Sequence, residues 1–326
     1  MKISQFGKKL TTRSGILQLM DDLGRPLPED IPSYQLGGGN PARIEAVEQA
    51  YRIEMQAIIH GGEQFEELIS KYDAPQGRIS FIHAIVDYFS ATYGWDITTE
   101  NVCITNGSQS AFFYMFNLLS GTHSLNAKNT YKKTILFPLM PEYIGYADQG
   151  LEKNCMVSVP ARCEYYDDHT MKYFIDFNAV EDYLLNCTTS GKNGEVGALC
   201  VSRPTNPSGN VLTDVEIEKL SKLAQRFDIP LLIDNAYGLP FPNIIFTENA
   251  KPIWNKNIVL SMSLSKIGLP AFRTGIIIAK KEIVEALSNI NAIVSLASGS
   301  VGQALAERLI KNGELVTLAK NAVQPF

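Results

Sequence analysis

Seven short apolar runs, most of them separated by longer amphipathic stretches, constrain the fold of this chain more than any other feature. The runs are rich in Val, Ile and Leu and occupy residues 102–105, 134–137, 156–159, 198–201, 230–233, 258–262 and 275–279. Such runs are typical of strands in a parallel sheet that helices cover on both faces. Stretches 108–120 and 213–227 have a helical pattern, so the alternation predicts an α/β domain.

The chain has 326 residues, a length that suggests about two domains. We place the α/β domain at about residues 45–295. Residues 282–312 are predicted to be mostly helical, and the first 40 or so to form an arm and loops. Thr213 can cap the helix that follows it, with Glu216 completing a capping box.

Composition and charge narrow the functional classes. The net charge is −5, from 29 basic and 34 acidic side chains, with no basic cluster, so neither nucleic acid nor an anionic membrane is an expected partner. The sequence lacks a signal-peptide pattern and a membrane-spanning apolar run. No two of the five cysteines form C-x-x-C, which indicates reduced thiols in a cytoplasmic protein. The four scattered histidines give no metal-binding spacing.

The segment 263–275 carries the most informative chemistry. Lys266 lies between hydroxyl side chains, including that of Ser263, and Arg273 follows. A lysine next to an apolar strand has a lowered pKa and can be nucleophilic. This arrangement suits a Schiff base to an aldehyde cofactor with a phosphate tail. A lone lysine would more often be a solvated loop residue.

A second motif ends the apolar run 230–233. Asp234 emerges from this run, and Tyr237 follows three residues later. A buried carboxylate is costly without a cationic partner, and a pyridinium nitrogen would be one. A helix cap by Asp234 explains the motif equally well.

Two further motifs follow earlier strands. Residues 105–111 lead from a strand into a helix, where free N–H groups and the helix dipole can bind an anion. Asn206 precedes Pro207 and is held extended, so its amide can point into the crevice at the strand's carboxyl end. Taken alone, each motif is more simply a capped helix or an ordinary turn.

The four motifs occur in the order found in fold-type I pyridoxal-phosphate (PLP) enzymes, the aminotransferase superfamily, which this chain resembles. The resemblance is greatest to bacterial valine–pyruvate aminotransferases, through segments 36–42, 72–77, 105–113, 137–146 and 233–242. It implies the three-layer aspartate aminotransferase-like fold, with a mostly parallel seven-stranded sheet covered by helices. Residues 1–44 would then form an arm and part of a small domain. Residues 296–326 would begin an incomplete C-terminal small domain.

The resemblance also implies roles for single residues. Lys266 would bind the PLP aldehyde and later move protons, and Asp234 would pair with the pyridinium nitrogen. Asn206 and Tyr237 would bind the phenolic oxygen, with Tyr143 stacked on the ring. The residues implied around the phosphate are Ser108, Gln109, Ser263, Arg273 and, from the second protomer of a homodimer, Tyr72. Gly39 would line the substrate side.

The implied reaction is ping-pong transamination from L-valine, or a similar small aliphatic amino acid, to pyruvate. The alternatives are another PLP enzyme of this fold, such as a C–S lyase or decarboxylase, and a non-catalytic PLP-binding module. The chain shows no basic helix–turn–helix to support the latter. An inactive truncated PLP-binding chain is a third alternative. In this superfamily an arginine clamps the substrate carboxylate, and no position up to Phe326, including Arg308, matches it.

Overall fold

The computed structural model describes residues 2–25, 30, 32, 39–124, 129–190 and 195–326. Residues 36–38 of the segment 36–42 lie outside these ranges. The helices are α1 Gln5–Leu10, α2 Gly15–Gly24, α3 Glu45–His60, α4 Gln64–Ser70, α5 Ile79–Tyr93, α6 Ser108–Leu119, α7 Phe177–Ser190, α8 Asp214–Arg226, α9 Lys281–Ser295, α10 Ser300–Lys311 and α11 Glu314–Leu318. The strands are β1 Val102–Thr105, β2 Gly121–Ser124, β3 Thr130–Phe137, β4 Met156–Ser158, β5 Arg162–Tyr165, β6 Met171–Phe174, β7 Glu195–Ser202, β8 Leu231–Asp234, β9 Ile258–Ser263 and β10 Gly275–Ile278.

One large sheet organises the chain. Its strand order is β1-β10-β9-β8-β7-β3-β2, and β4 pairs with β3 on the edge that β2 also uses. Among the described strands of this sheet, β10 and β2 run opposite to the other six. All seven predicted runs are strands of this sheet, which confirms the mostly parallel α/β architecture. The described sheet also contains an eighth strand, β2. The sequence analysis did not predict it, because its sequence Gly-Thr-His-Ser contains no apolar run.

Alternating side chains along each strand separate the core into two clusters. On β8, Leu231 and Ile233 pack on one face of the sheet with α5, α7 and α8, whereas Leu232 packs on the other face with α6 and α9. Each fully buried aliphatic side chain of this size contributes about 1.5–3 kcal/mol. Burial on both faces therefore explains why the strands are apolar throughout, and it fixes a three-layer arrangement.

The predicted capping box at the start of α8 is confirmed. The Glu216 backbone N–H donates to the Thr213 hydroxyl at 3.3 Å, and the Thr213 N–H donates to the Glu216 carboxylate at 2.9 Å. Two N–H groups that the first turn leaves unpaired are satisfied in this way.

The prediction that the first 40 or so residues form an arm and loops was wrong in part, because helices α1 and α2 lie there. Ser4 and Ser14 cap these helices by accepting hydrogen bonds from the N–H groups of residues 7 and 17. These serine caps were the missed signal.

The predicted helical segment 282–312 corresponds to α9 and α10. Leu305 and Leu309 of α10 are buried in the same core cluster as α5. The predicted division at residue 295 stays a prediction.

No helix in the described ranges combines the length and apolar character needed to cross a membrane.

Helix α8 provides a test of this packing. Ile217 is fully buried, whereas 73% of the Val215 surface is exposed. Ile217→Ala should lower the free energy of unfolding by about 2–5 kcal/mol, because it removes buried methyl groups and leaves a cavity. Val215→Ala should change it by about 0.5 kcal/mol or less. Urea unfolding measures both, and equal losses would contradict this placement of α8.

Candidate active site

The predicted site residues gather at one edge of the sheet. Strands β1, β3, β7, β8 and β9 run in the same direction, so their carboxyl ends lie along this edge. The residues that end or follow these strands are Ser108 and Gln109 after β1, Tyr143 after β3, Asn206 after β7, Asp234 and Tyr237 at β8, and Ser263 and Lys266 at β9. Arg273 lies at the same edge, because it precedes the antiparallel strand β10. Open α/β sheets bind ligands at this edge.

Asp234 ends β8 as a buried carboxylate. The Tyr146 hydroxyl donates to its Oδ2 at 2.6 Å, and the Ala236 N–H donates to its Oδ1 at 3.0 Å. Burial raises the pKa of Asp234 to about 6, although these two hydrogen bonds and the Lys266 charge lower it. Within the described ranges no cationic side chain is in ion-pair distance of Asp234. It is therefore suited to a cationic ligand group, such as a pyridinium nitrogen.

Lys266 lies in a single 3₁₀ turn, Ser265–Ile267, directly after β9. Its side chain is half-buried, and its Nζ is 5.4 Å from the centroid of the Tyr237 ring. Lys266 follows β9 and Asp234 ends the neighbouring strand β8, so both lie at the same edge of the sheet, and the Lys266 charge lowers the pKa of Asp234. Among the residues that the structure describes, no carboxylate forms an ion pair with Lys266, so its amine is available for a ligand.

Tyr237 and Asn206 face each other at this edge of the sheet. The Asn206 Nδ2 donates to the Tyr237 hydroxyl at 3.4 Å, a long contact that joins the loops after β7 and β8. Both side chains are half-buried. Each can also donate a hydrogen bond to an oxygen placed between them, as the phenolic oxygen of PLP would be.

The start of α6 forms an anion site together with Arg273. Gly107 precedes the helix with φ +85°, and a Cβ built on it would lie 2.2 Å from the Arg273 guanidinium. A Cβ on Gly275 would lie 2.8 Å from the Ser108 nitrogen. Both positions therefore exclude side chains. The guanidinium lies against the helix N-terminus, where free N–H groups and the dipole favour a phosphate.

The hydroxyl and amide side chains around this anion site already have protein partners. Ser108 donates to the Met262 carbonyl at 3.1 Å, and Gln109 donates to the Gly145 carbonyl at 3.3 Å. Ser263 accepts from the Ser265 N–H at 3.0 Å, which leaves its hydroxyl hydrogen for an anion. The backbone N–H groups of Ser108 and Gln109, rather than their side chains, are therefore available to an anion at the start of α6.

Two residues of the loop after β3 were missed by the sequence analysis. Tyr146 donates to Asp234, and the Glu142 carboxylate accepts from the Ser202 N–H at 3.0 Å and from the Ser202 hydroxyl. Between them lies Tyr143, whose ring is 5.3 Å from that of Tyr146. Burial raises the Tyr143 pKa, as do the charges of Asp234 and Tyr237, whereas Arg273 lowers it. The available signal was the position of this polar segment directly after an apolar strand.

A cavity of about 570 Å³ opens beside Lys266 and Tyr237. Gly39 lines it, as does Arg43, which forms a two-point ion pair with Glu48. Gly39 thus lies on the same side of the site as the reactive amine.

The structure leaves Tyr72 away from this cleft. It lies in the segment after α4, and 84% of its surface is exposed. Arg308, the last arginine of the chain, is also elsewhere, because on α10 it pairs with the buried Glu54 of α3 at 2.7 Å. In the described part of the chain, no group of three or more His, Cys, Asp or Glu side chains could hold a metal ion.

The residues present fit PLP on three independent observations. Asp234 is a buried carboxylate without a protein cation, which suits the ring nitrogen. The α6 N-terminus with Arg273 suits the phosphate, and Lys266 suits the aldehyde. Each group of the cofactor therefore has a matching partner at this edge.

Comparison with known proteins gives a consistent result. The profile described as "Aminotransferase class I and II" matches residues 45–323. The valine–pyruvate aminotransferase of Escherichia coli K12 is 45% identical over 326 residues, which is all of this chain and 74% of that protein.

Two solved structures are similar throughout. A protein assigned as an amino-acid aminotransferase from Psychrobacter arcticum 273-4 has a TM-score of 0.92 at 45% identity, covering 100% of this chain and 75% of that one. Valine–pyruvate aminotransferase from Salmonella typhimurium LT2 has a TM-score of 0.79 at 43% identity, covering 96% and 72%. These findings confirm the predicted fold class and superfamily. The chain therefore belongs to the class I and II aminotransferases.

Proposed function

We propose that this chain transfers the amino group of L-valine, or a similar small aliphatic amino acid, to pyruvate, giving 2-oxoisovalerate and L-alanine. The observation that carries the proposal is the placement of Lys266 and Asp234 at one edge of the sheet, beside an anion site. PLP is the cofactor of this family. The identity of 45% to a valine–pyruvate aminotransferase over the whole chain supports this pair of substrates.

PLP, when bound, supplies an aldehyde that accepts the amino group and a ring that takes up the electrons of the broken Cα–H bond. Lys266 Nζ would hold the aldehyde carbon and would carry the proton removed from the substrate Cα. The Asp234 carboxylate would pair with the ring nitrogen and favour its protonated state. These two residues and Tyr237 form the proposed catalytic set.

The remaining site residues orient the cofactor. Asn206 and Tyr237 would donate hydrogen bonds to its phenolic oxygen, and Tyr143 would stack on its ring. The backbone N–H groups of Ser108 and Gln109, with Ser263 and Arg273, would hold the phosphate. The Arg273 guanidinium suits this role because its planar fork can meet two phosphate oxygens at once.

Part of the cavity beside Lys266 can contact a small aliphatic side chain. Apolar residues on different elements line this part: Ile44, Val47, Ile244, Phe246 and Val323. Gly39 lies on the same surface and has no side chain to occupy the space. These apolar contacts support valine as a substrate, and the Arg43–Glu48 ion pair lines the remainder of the wall.

We also propose that the chain forms a cytoplasmic homodimer. The side chains of Tyr72 and Ile293 are 84% and 86% exposed. A hydrogen bond of 2.9 Å from Asn291 Nδ2 to the Pro75 carbonyl joins the two segments on which they lie. These exposed apolar side chains support an association surface in this region. Tyr72 is thereby free to reach the phosphate of the partner's site.

Substitution of the reactive lysine tests the proposed reaction. Lys266→Ala should slow formation of L-alanine from L-valine and pyruvate by at least about a thousandfold, because the nucleophile and proton carrier are removed. Lys256→Ala, which changes an exposed lysine away from the cleft, is the matched control.

Product analysis separates the alternatives. Release of ammonia from an L-cysteine S-conjugate, without L-alanine formation from L-valine, would support a C–S lyase. A wild-type chain that binds PLP but yields no keto acid from any amino acid would refute transamination.

The affinity for PLP tests the proposed role of Asp234 as the partner of the ring nitrogen. Asp234→Asn should raise the dissociation constant of PLP by about tenfold or more, because it removes the only anion proposed for the pyridinium. Asp228→Asn changes an exposed aspartate with φ +52°, a conformation that asparagine tolerates, and is the control. Fluorescence quenching during PLP titration measures both, and equal affinities would exclude the proposed role of Asp234.

Sedimentation tests the homodimer. The wild-type chain should sediment with twice the monomer mass, and Ile293→Glu should shift the population towards monomer, because a charge would be buried in the interface. Val215→Glu, on the exposed face of α8, should leave the dimer unchanged. A monomeric wild-type chain at micromolar concentration would contradict the proposal.

A further inference from the structure

Glu142 is a buried acid that the reaction described above does not use. It lies in the loop after β3, directly before Tyr143, with 8% of its surface exposed. Its Oε1 accepts from the Ser202 N–H at 3.0 Å, and its Oε2 is in contact with the Ser202 hydroxyl. Ser202 ends β7, from which the loop of Asn206 departs.

We propose that Glu142 is a positioning residue that, as a neutral carboxylic acid, fastens the loop of Tyr143 to Ser202 and leaves Asp234 as the anionic carboxyl group of the site. This inference rests on the proposed PLP-dependent function, because its purpose is to place Tyr143 and Asp234 for the cofactor ring.

The geometry shows why Glu142 positions Tyr143. Ser202 and Asp234 are register partners on the neighbouring strands β7 and β8. Glu142 is hydrogen-bonded to Ser202, and Tyr146 is hydrogen-bonded to Asp234 at 2.6 Å. The loop is thus attached to two strands, on either side of Tyr143 in sequence. If the first attachment is lost, the Tyr143 ring is held from one side only.

The surroundings of Glu142 favour its acid form. The titratable groups that face it are Asp234 on β8, Cys200 on β7 and Tyr146 on its own loop. No cationic side chain in the described ranges is in ion-pair distance of it. A buried carboxylate without a cation is unfavourable. In the acid form Glu142 still accepts from the Ser202 N–H, and its contact with the Ser202 hydroxyl is reversed, so that Glu142 is the donor.

The pKa values of the two carboxyl groups of the site also favour a neutral Glu142 and a charged Asp234. The pKa of Glu142 is raised to about 8, mainly by burial and to a smaller extent by the charge of Asp234. Hydrogen bonds from Ser202 and the Tyr143 backbone act in the opposite direction. The pKa of Asp234 is about 6, and Lys266 helps to lower it. At pH 7 the shared environment therefore leaves the proton on Glu142 and the charge on Asp234.

Cofactor affinity of the full-length variants tests the positioning role. Glu142→Ala should raise the dissociation constant of PLP by about tenfold or more, because the loop attachment is lost. Glu142→Gln is neutral, can accept from the Ser202 N–H and can donate to the Ser202 hydroxyl, so it should stay within about threefold of wild type. Glu218→Gln, on the exposed face of α8, is the control. Should Glu142→Ala fail to fold, Ser202→Ala removes the hydroxyl contact from the other side, although the backbone N–H contact at position 202 remains.

A loss with Glu142→Gln as large as with Glu142→Ala would overturn the neutral-acid assignment. Unchanged affinity in both Glu142→Ala and Ser202→Ala would overturn the positioning role. A wild-type chain that binds no PLP would instead refute the proposed function, so the two failures are distinguishable.

The pH dependence of thermal unfolding tests the protonation state. A raised carboxyl pKa means that the folded chain keeps a proton that the unfolded chain releases near pH 4.5, so stability falls as pH rises from 4.5 towards 8. Asp234 acts in the same direction only up to about pH 6. Between pH 6.5 and 8, the cofactor-free wild type should lose about 2–4 °C of Tm relative to Glu142→Gln. Parallel curves over this range would refute the acid form.

Discussion

The site depends on one unfavourable placement, a carboxylate at the buried end of a central strand. Asp234 follows three apolar residues of β8, and helices cover both faces of the sheet. Its only hydrogen-bond donors in the described ranges are the Tyr146 hydroxyl and the Ala236 N–H. A carboxylate in such a position is stabilised by a cation, and a cofactor ring nitrogen can be that cation. The cofactor therefore completes the electrostatics of the fold as well as the chemistry.

The surrounding loops hold that carboxylate and the other site residues in position. Because the parallel strands end at one edge, residues far apart in sequence contact the same small region. Tyr146 holds one carboxylate oxygen in place, and Glu142 holds the same loop on the neighbouring strand. At the opposite side of the site, the Arg273 guanidinium lies against the start of α6, and the φ of +85° at position 107 favours glycine there. The site is thus fixed at both ends.

Much of the fold could be predicted from the sequence, because strands buried on both faces are continuous apolar runs. All seven such runs are strands, whereas β2, exposed at the sheet edge and nearly free of apolar residues, gave no signal. The polar residues directly after these runs gave the candidate site, since the strand ends converge. Glu142 and Tyr146 were missed because their partners, Ser202 and Asp234, come close only through the register of β7 and β8. No local pattern encodes a contact of that kind. The position of Tyr72 remains a matter of assembly, which one chain does not determine.

The antiparallel strand β10 affects the order in which the sheet and the anion site form during folding. Among the described strands, β1, which leads into the anion site, pairs with β10 alone, where Thr105 lies opposite Gly275. The other described strands of the sheet lie between β1 and β10 in sequence, so these two can pair only after the chain between them has been synthesised. Contacts between such distant segments form slowly, because a long intervening chain must first be ordered. A nascent or partly folded chain would therefore lack a phosphate cradle, and tight capture of the cofactor would mark the moment at which the sheet is complete.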